Sequence, residues 1–226
     1  MTADALRHGP VADAIRRTRL IVVLRRVEPE SALIALVDEL ADAGARVFEV
    51  TFDAPTAEGD LRTLRERLAA RTDGPFLVGA GTILRRGQLE AARRAEADFA
   101  VAPVLDTGLV DTAVSEGIPF VPGAFTPTEV DAAWAAGATF VKLFPASALG
   151  PSFVRELRGP LPEVQLIPTG GVNADTAGAF IEAGAVAVGV GGALVHGDEA
   201  TRRAIVAAVI GGPVAKATRA RPGDRR

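Results

Sequence analysis

Eight short apolar runs recur along the chain at intervals of about 20 to 30 residues, the length of one strand–helix unit. They are "RLIVVL" (19–24), "RVFEVTF" (46–52), "PFLVGAGT" (75–82), "DFAVAP" (98–103), "IPFVPG" (118–123), "TFVKLFP" (139–145), "VQLIPTGG" (164–171) and "AVAVGVGGALV" (185–195). Helical patterns fill the gaps. "PESALIALVDELADAG" starts after Pro29 and closes on Gly44, with Leu33, Leu36 and Leu40 along one face. "TPTEVDAAWAAGA" offers Thr126 and Thr128 as caps, carries Trp134 to pack on a sheet, and ends at Gly137. An "AGA" or "EGI" precedes the next strand at 43–45, 116–118, 136–138 and 183–185, and an "EAD" copy at 96–98 lacks the helix-ending glycine. Strands alternating with helices throughout predict a single (β/α)8 TIM barrel over 1–212 with an N-terminal helix. The polar segment 213–226 reads as a disordered tail. A doubly wound open sheet is the alternative, yet neither "GAGT" (79–82) nor "GVGG" (189–192) completes the dinucleotide spacing G-x-G-x-x-G.

Composition removes whole classes of chemistry. The 226 residues contain no cysteine, so disulfides, thiolate metal sites and cysteine nucleophiles are excluded. Two histidines, His8 and His196, leave little for a zinc site or a Ser-His-Asp triad. The expectation is no metal and no cofactor. A net charge of −3 gives no reason for a nucleic acid or an anionic membrane as partner. No apolar run is long enough to span a bilayer, and the chain reads as cytoplasmic.

The run "TFVKLFPAS" (139–147) places Lys142 inside an apolar strand, with Phe140 and Phe144 on the same face. Of 25 basic residues only Lys142 and Lys216 are lysines, so 23 are arginines. Arginine stays protonated, whereas a desolvated lysine can become a neutral amine and attack a carbonyl. Snorkelling to solvent, or membership of a buried ion pair, would account for Lys142 equally well.

Barrel function gathers at the C-terminal strand ends. Those ends read Arg25, Glu49 with Thr51, Thr82, Pro103, Pro122, Lys142 with Phe144, Thr169-Gly170-Gly171 and Gly191-Gly192. Glu49 and Lys142 stand out as ionisable groups within apolar runs. An amine that condenses with a ketone forms an imine that withdraws electrons from the adjacent carbon, and a nearby carboxylate can move the protons each step requires. Glycine turns before a helix offer backbone amides to a phosphate, here after strands seven and eight.

"FEVTF", "VGAGTIL", "VKLFPAS", "LIPTGGV" and "VGVGGALV", in this order and spacing, resemble the 2-keto-3-deoxy-6-phosphogluconate and 4-hydroxy-2-oxoglutarate aldolases. The resemblance covers residues 10 to 210. It implies a metal-independent, Schiff-base (class I) aldolase that yields pyruvate and glyceraldehyde 3-phosphate from a phosphorylated keto acid, and a homotrimer. It also implies roles: Lys142 as Schiff-base lysine, Glu49 as acid/base, Thr82 on the pyruvate carboxylate, Gly170 and Gly171 on phosphate, Pro103 and Phe144 lining the pocket. Two positions depart from the pattern. Asp53 stands where some members carry a carboxylate-gripping arginine, and Gly192 stands near a position where some carry serine. Arg25 is the candidate replacement cation. "FPASALGPSF" also resembles the relatives acting on the galactonate epimer. Other readings remain: 4-hydroxy-2-oxoglutarate as substrate, a phosphate-binding isomerase or epimerase needing only an acid/base pair, or a catalytically silent barrel.

Overall fold

The computed structural model describes residues 1–210; the tail expected at 213–226 lies outside them. Two helices, α1 (Ala3–Arg7) and α2 (Pro10–Thr18), lead into β1 (Leu20–Leu24), α3 (Glu30–Asp42), β2 (Val47–Thr51), α4 (Ala57–Ala69), β3 (Leu77–Gly81) and α5 (Arg86–Arg94). The chain continues through β4 (Ala100–Val101), α6 (Thr107–Glu116), β5 (Phe120–Val121), β6 (Gly123–Ala124), α7 (Pro127–Ala135) and β7 (Val141–Leu143). A short 3-10 turn leads to α8 (Gly150–Leu157), β8 (Leu166–Pro168), α9 (Ala174–Glu182), β9 (Val188–Val190), α10 (Gly192–Val195) and α11 (Glu199–Ile210).

Every strand pairing is parallel. One sheet has the order β5-β4-β3-β2-β1-β9 and the other β6-β7-β8. The fifth apolar run yields two strands because Pro122 has no amide to donate and interrupts the ladder. Its carbonyl still accepts the Lys142 amide at 2.9 Å, and the Phe120 carbonyl accepts the Thr139 amide at 2.9 Å. At the opposite edges the Val186 amide donates to Leu166 at 3.0 Å, and Thr169 bridges Gly189. The two sheets are thus tied at both ends.

Alternation sorts the side chains into two cores. Val22, Leu24, Phe48, Val50, Val141 and Leu143 face the surrounding helices. Ile21, Val47, Phe99, Val101, Val121, Phe140 and Ile167 face inward, joined by Ala12 and Ile15 of α2. Helix α2, with Pro10 at its first position, covers the N-terminal strand ends with these two fully buried residues.

The repeated strand-preceding motif proves to be a helix-terminating turn. At 43–45 the Ala45 amide reaches back to Leu40 at 2.9 Å, with Gly44 at φ 110. The glycine-free copy needs correction: the same turn sits one residue earlier, at 95–97. There Glu96 takes φ 59, and the Ala97 amide donates to Ala92 at 3.0 Å. Glutamate in this conformation costs roughly 1 kcal/mol, and without a glycine to mark the turn the repeated pattern places it one residue late, at 96–98.

Candidate active site

Lys142 projects from β7 on the Phe140 side and is 5% exposed. Its Nζ lies 5.2 Å from the centroid of the Phe144 ring. The negative face of that ring favours a cationic nitrogen. Glu49 projects from β2 and is 2% exposed, with its Oε1 buried and lacking a hydrogen-bond partner. Among the described residues neither Lys142 nor Glu49 belongs to an ion pair within 4.0 Å. The buried salt bridge that would have explained both residues without chemistry is therefore not formed.

Room for the carboxylate comes from β3. A Cβ at Gly81 would stand 2.0 Å from Glu49 Oε1, so only glycine leaves the carboxylate where it is. The next residue, Thr82, is 9% exposed with φ 58, an outlying conformation for a β-branched side chain. Its hydroxyl accepts a hydrogen bond from Arg25 Nη2 at 3.2 Å. Arg25 thus reaches the strand-three end from the strand-one end. Asp53, following β2, meets Arg25 Nη1 at 3.6 Å and Arg26 Nε at 3.4 Å. The sequence had marked Asp53 as a departure, but it gave no role to Arg26.

Pro103 and Phe144 line a cleft of about 530 Å³ together with Gly123, Phe125 and Glu129. Lys142 and Glu49 are not among its lining residues, so the cleft is a neighbouring space shared through Phe144. Glu129 accepts hydrogen bonds from the Phe125 amide at 2.9 Å and the Thr126 amide at 2.8 Å. These bonds, with that of the Thr126 hydroxyl, hold its carboxyl below the usual carboxylate range.

The glycine-rich ends of β8 and β9 converge on the same face. Gly170 and Gly171 have φ 92 and 76, and among the described residues neither amide donates a hydrogen bond. A Cβ on Gly170 would approach the Phe144 ring to 3.0 Å, which puts this turn beside the lysine strand. Thr169 is buried, and its hydroxyl lies so close to Gly189 that a Cβ there would clash at 2.4 Å. Gly191 packs on Val23 of β1, whereas Gly192 opens α10 with nothing near its Cβ position. Ser147, packed against Gly171, is a further polar neighbour that the sequence reading did not single out.

The family model for KDPG and KHG aldolases matches residues 11–209. The 2-dehydro-3-deoxy-6-phosphogalactonate aldolase of Escherichia coli (strain K12) is 31% identical over 185 residues, covering 81% of this chain and 88% of that protein. The 2-dehydro-3-deoxy-phosphogluconate aldolase of Haemophilus influenzae is 33% identical over 164 residues, covering 72% and 74%. Among solved structures, the 2-keto-3-deoxy-6-phosphogluconate aldolase of Zymomonas mobilis ZM4 with 3-phosphoglycerate superposes with a TM-score of 0.76. It is 25% identical and covers 88% of this chain and 94% of that one. The chain belongs to the KDPG and KHG aldolase family and is an aldolase, a lyase.

Proposed function

We propose that this aldolase works through a Schiff base on Lys142, cleaving a 2-keto-3-deoxy-6-phospho-sugar acid to pyruvate and glyceraldehyde 3-phosphate. One observation carries the reading: among the described residues, a buried lysine and a buried carboxylate, both on the strand faces that also bear the inner core, have no ion-pair partner to occupy them. The Lys142 amine adds to the C2 ketone, and loss of water leaves an iminium. Glu49 takes the proton from the C4 hydroxyl, and the aldehyde leaves. The electron pair of the C3–C4 bond moves to C3 and is held as an enamine by the nitrogen. Protonation of C3 by Glu49 and hydrolysis of the imine then release pyruvate. Phe144 presents its ring to the nitrogen at the stage where that nitrogen is cationic.

Thr82 and Arg25 hold the C1 carboxylate. The undonated amides of Gly170 and Gly171, with the Gly191-Gly192 turn, take the phosphate, alongside Thr169. The bound 3-phosphoglycerate named for the Zymomonas mobilis relative supports a phosphate subsite. We further propose that the two tied sheets are one eight-stranded barrel in which β5 and β6 act as a single strand broken at Pro122. The assembly proposed is a homotrimer in the cytoplasm. The exposed apolar Val104 and Phe125 at the mouth support burial against another subunit, and sedimentation would test it.

Borohydride reduction with and without pyruvate, followed by peptide mass mapping, tests the chemistry. A pyruvate-dependent adduct on Lys142 is expected, and a folded protein without one overturns the Schiff-base reading. The galactonate epimer is the second candidate substrate, favoured by the extent of the Escherichia coli match and by "FPASALGPSF". Comparing kcat/KM for the two phosphorylated epimers and 4-hydroxy-2-oxoglutarate assigns the substrate.

A further inference from the structure

Asp53 poses a problem for a site that must hold a carboxylate. It stands 3.6 Å from Arg25 Nη1, the cation assigned to that task, and a one-to-one pair has no net charge left to offer. A third group changes the sum. Arg26 approaches the same oxygen, Oδ2, through its Nε at 3.4 Å and donates from Nη2 to the Asp53 carbonyl at 3.0 Å. To turn back in this way, Arg26 adopts φ 48, in the left-handed region that disfavours every residue with a Cβ. The three residues together carry one positive charge. Among the described residues Asp53 Oδ1 is buried without a hydrogen-bond partner, so both guanidinium groups share a single oxygen and neither holds the aspartate alone.

We propose that Arg26 is a positioning residue whose charge neutralises Asp53, leaving the charge of Arg25 for the substrate's C1 carboxylate. Asp53 in turn steers Arg25 toward the Thr82 hydroxyl. The inference rests on the Schiff-base reading above and concerns its carboxylate subsite. Arg26 touches no substrate in this arrangement. Its influence passes wholly through Asp53, and that gives it a signature.

The test is a double-mutant cycle read by the pyruvate concentration that half-saturates borohydride trapping on Lys142. Arg26→Ala should raise that concentration roughly three- to five-fold, the range for partly exposed ion pairs. The increase should shrink as ionic strength rises, and Arg26→Lys should restore most of the affinity. Asp53→Asn keeps an oxygen for Arg25 while removing the competing charge, and should lower the concentration about two-fold. In the Asp53→Asn background, Arg26→Ala should change nothing further. Thermal melts of every variant check the fold, and Arg26→Gln replaces the alanine variant if that one melts early. An equal loss in both backgrounds would mean that Arg26 contacts the substrate itself, and no loss in either would mean that Asp53 was never cancelled. Both results overturn the proposal. A wild-type protein that traps no pyruvate removes the Schiff-base reading instead, and this inference with it, before any variant is compared.

Discussion

The inward faces of the strands differ sharply between their two ends. At the N-terminal end, Phe99, Phe140, Val47 and Ile21 form an apolar cluster with Ala12 and Ile15 of α2, and the Arg16 guanidinium of the same helix lies 5.3 Å from the centroid of the Phe140 ring. At the C-terminal end the same strands bury Glu49, Lys142, Thr82 and Thr169. Strand β7 makes the contrast in two residues, from Phe140, fully buried, to Lys142, 5% exposed. One end supplies stability through burial. The other accepts the cost of ionisable groups kept out of water, and among the described residues no ion pair offsets that cost at Glu49 or Lys142.

The largest expected effect separates these two neighbours. Lys142→Met, similar in volume, should abolish pyruvate trapping and lower kcat by on the order of 10⁴-fold or more. It should also raise the melting temperature by about 2–4 °C, because a buried amine is replaced by an apolar group. Phe140→Ala should do the reverse. Stability falls by about 3–5 kcal/mol in urea titrations, while the protein that remains folded still traps pyruvate on Lys142. If Lys142→Met proved markedly destabilising, the lysine would be a structural member of the core, and the contrast between the ends would collapse.

A smaller effect tests how closely the polar end is fitted. Gly81→Ala places a methyl 2.0 Å from Glu49 Oε1 and must displace the carboxylate. A shift of that kind should cost about 10²-fold in kcat with little change in KM, since the carboxylate acts on protons and does not hold the substrate. Steady-state kinetics on the phosphorylated substrate give the answer. A rise in KM at unchanged kcat would point to a binding role for Glu49.

The two ends were also unequally legible from sequence. All eight apolar runs form strands, as expected where a parallel sheet buried on both faces favours short apolar runs, whereas the apolar stretches at 32–37 and 204–210 lie inside longer helical patterns. The division of the fifth run at Pro122 follows from the missing amide, and the reading of 118–123 as one strand did not include it. Lys142 and Glu49 showed themselves as charges in apolar runs. Arg25 could be reached by asking which cation ends the first strand. Arg26 could not. Its side chain acts only by turning back on Asp53, 27 residues away, through a left-handed backbone that arginine rarely adopts. Glu96 was misassigned for the same reason, since a turn normally marked by glycine was built from another residue. The glycines of β3 and β9 enter the sequence reading only as an incomplete dinucleotide spacing, whereas Gly81 and Gly189 are close-approach positions for Glu49 and Thr169.

The smallest expected effect lies at the rim of the cleft, where a polar group stabilises the fold. Glu129 closes a capping box with Thr126 at the start of α7. Its carboxyl is held below its ordinary value of 4.5, first by the Phe125 amide, then by the Thr126 amide and hydroxyl. A depressed carboxyl pKa contributes stability that is complete above 4.5 and is lost as pH falls through the lower, folded value. Glu129→Gln should therefore cost about 0.5–1 kcal/mol at pH 7. The gap to the wild type should narrow once pH drops below 4.5, because only the wild type then loses its charge. Urea titrations at pH 7 and at two points below 4.5 measure it. A gap that stays constant would show that the box stabilises through hydrogen-bond geometry alone. A narrowing gap identifies the charge of Glu129 as the source, and marks this carboxylate as belonging to the fold, in contrast to Glu49 on β2, whose Oε1 has no hydrogen-bond partner among the described residues.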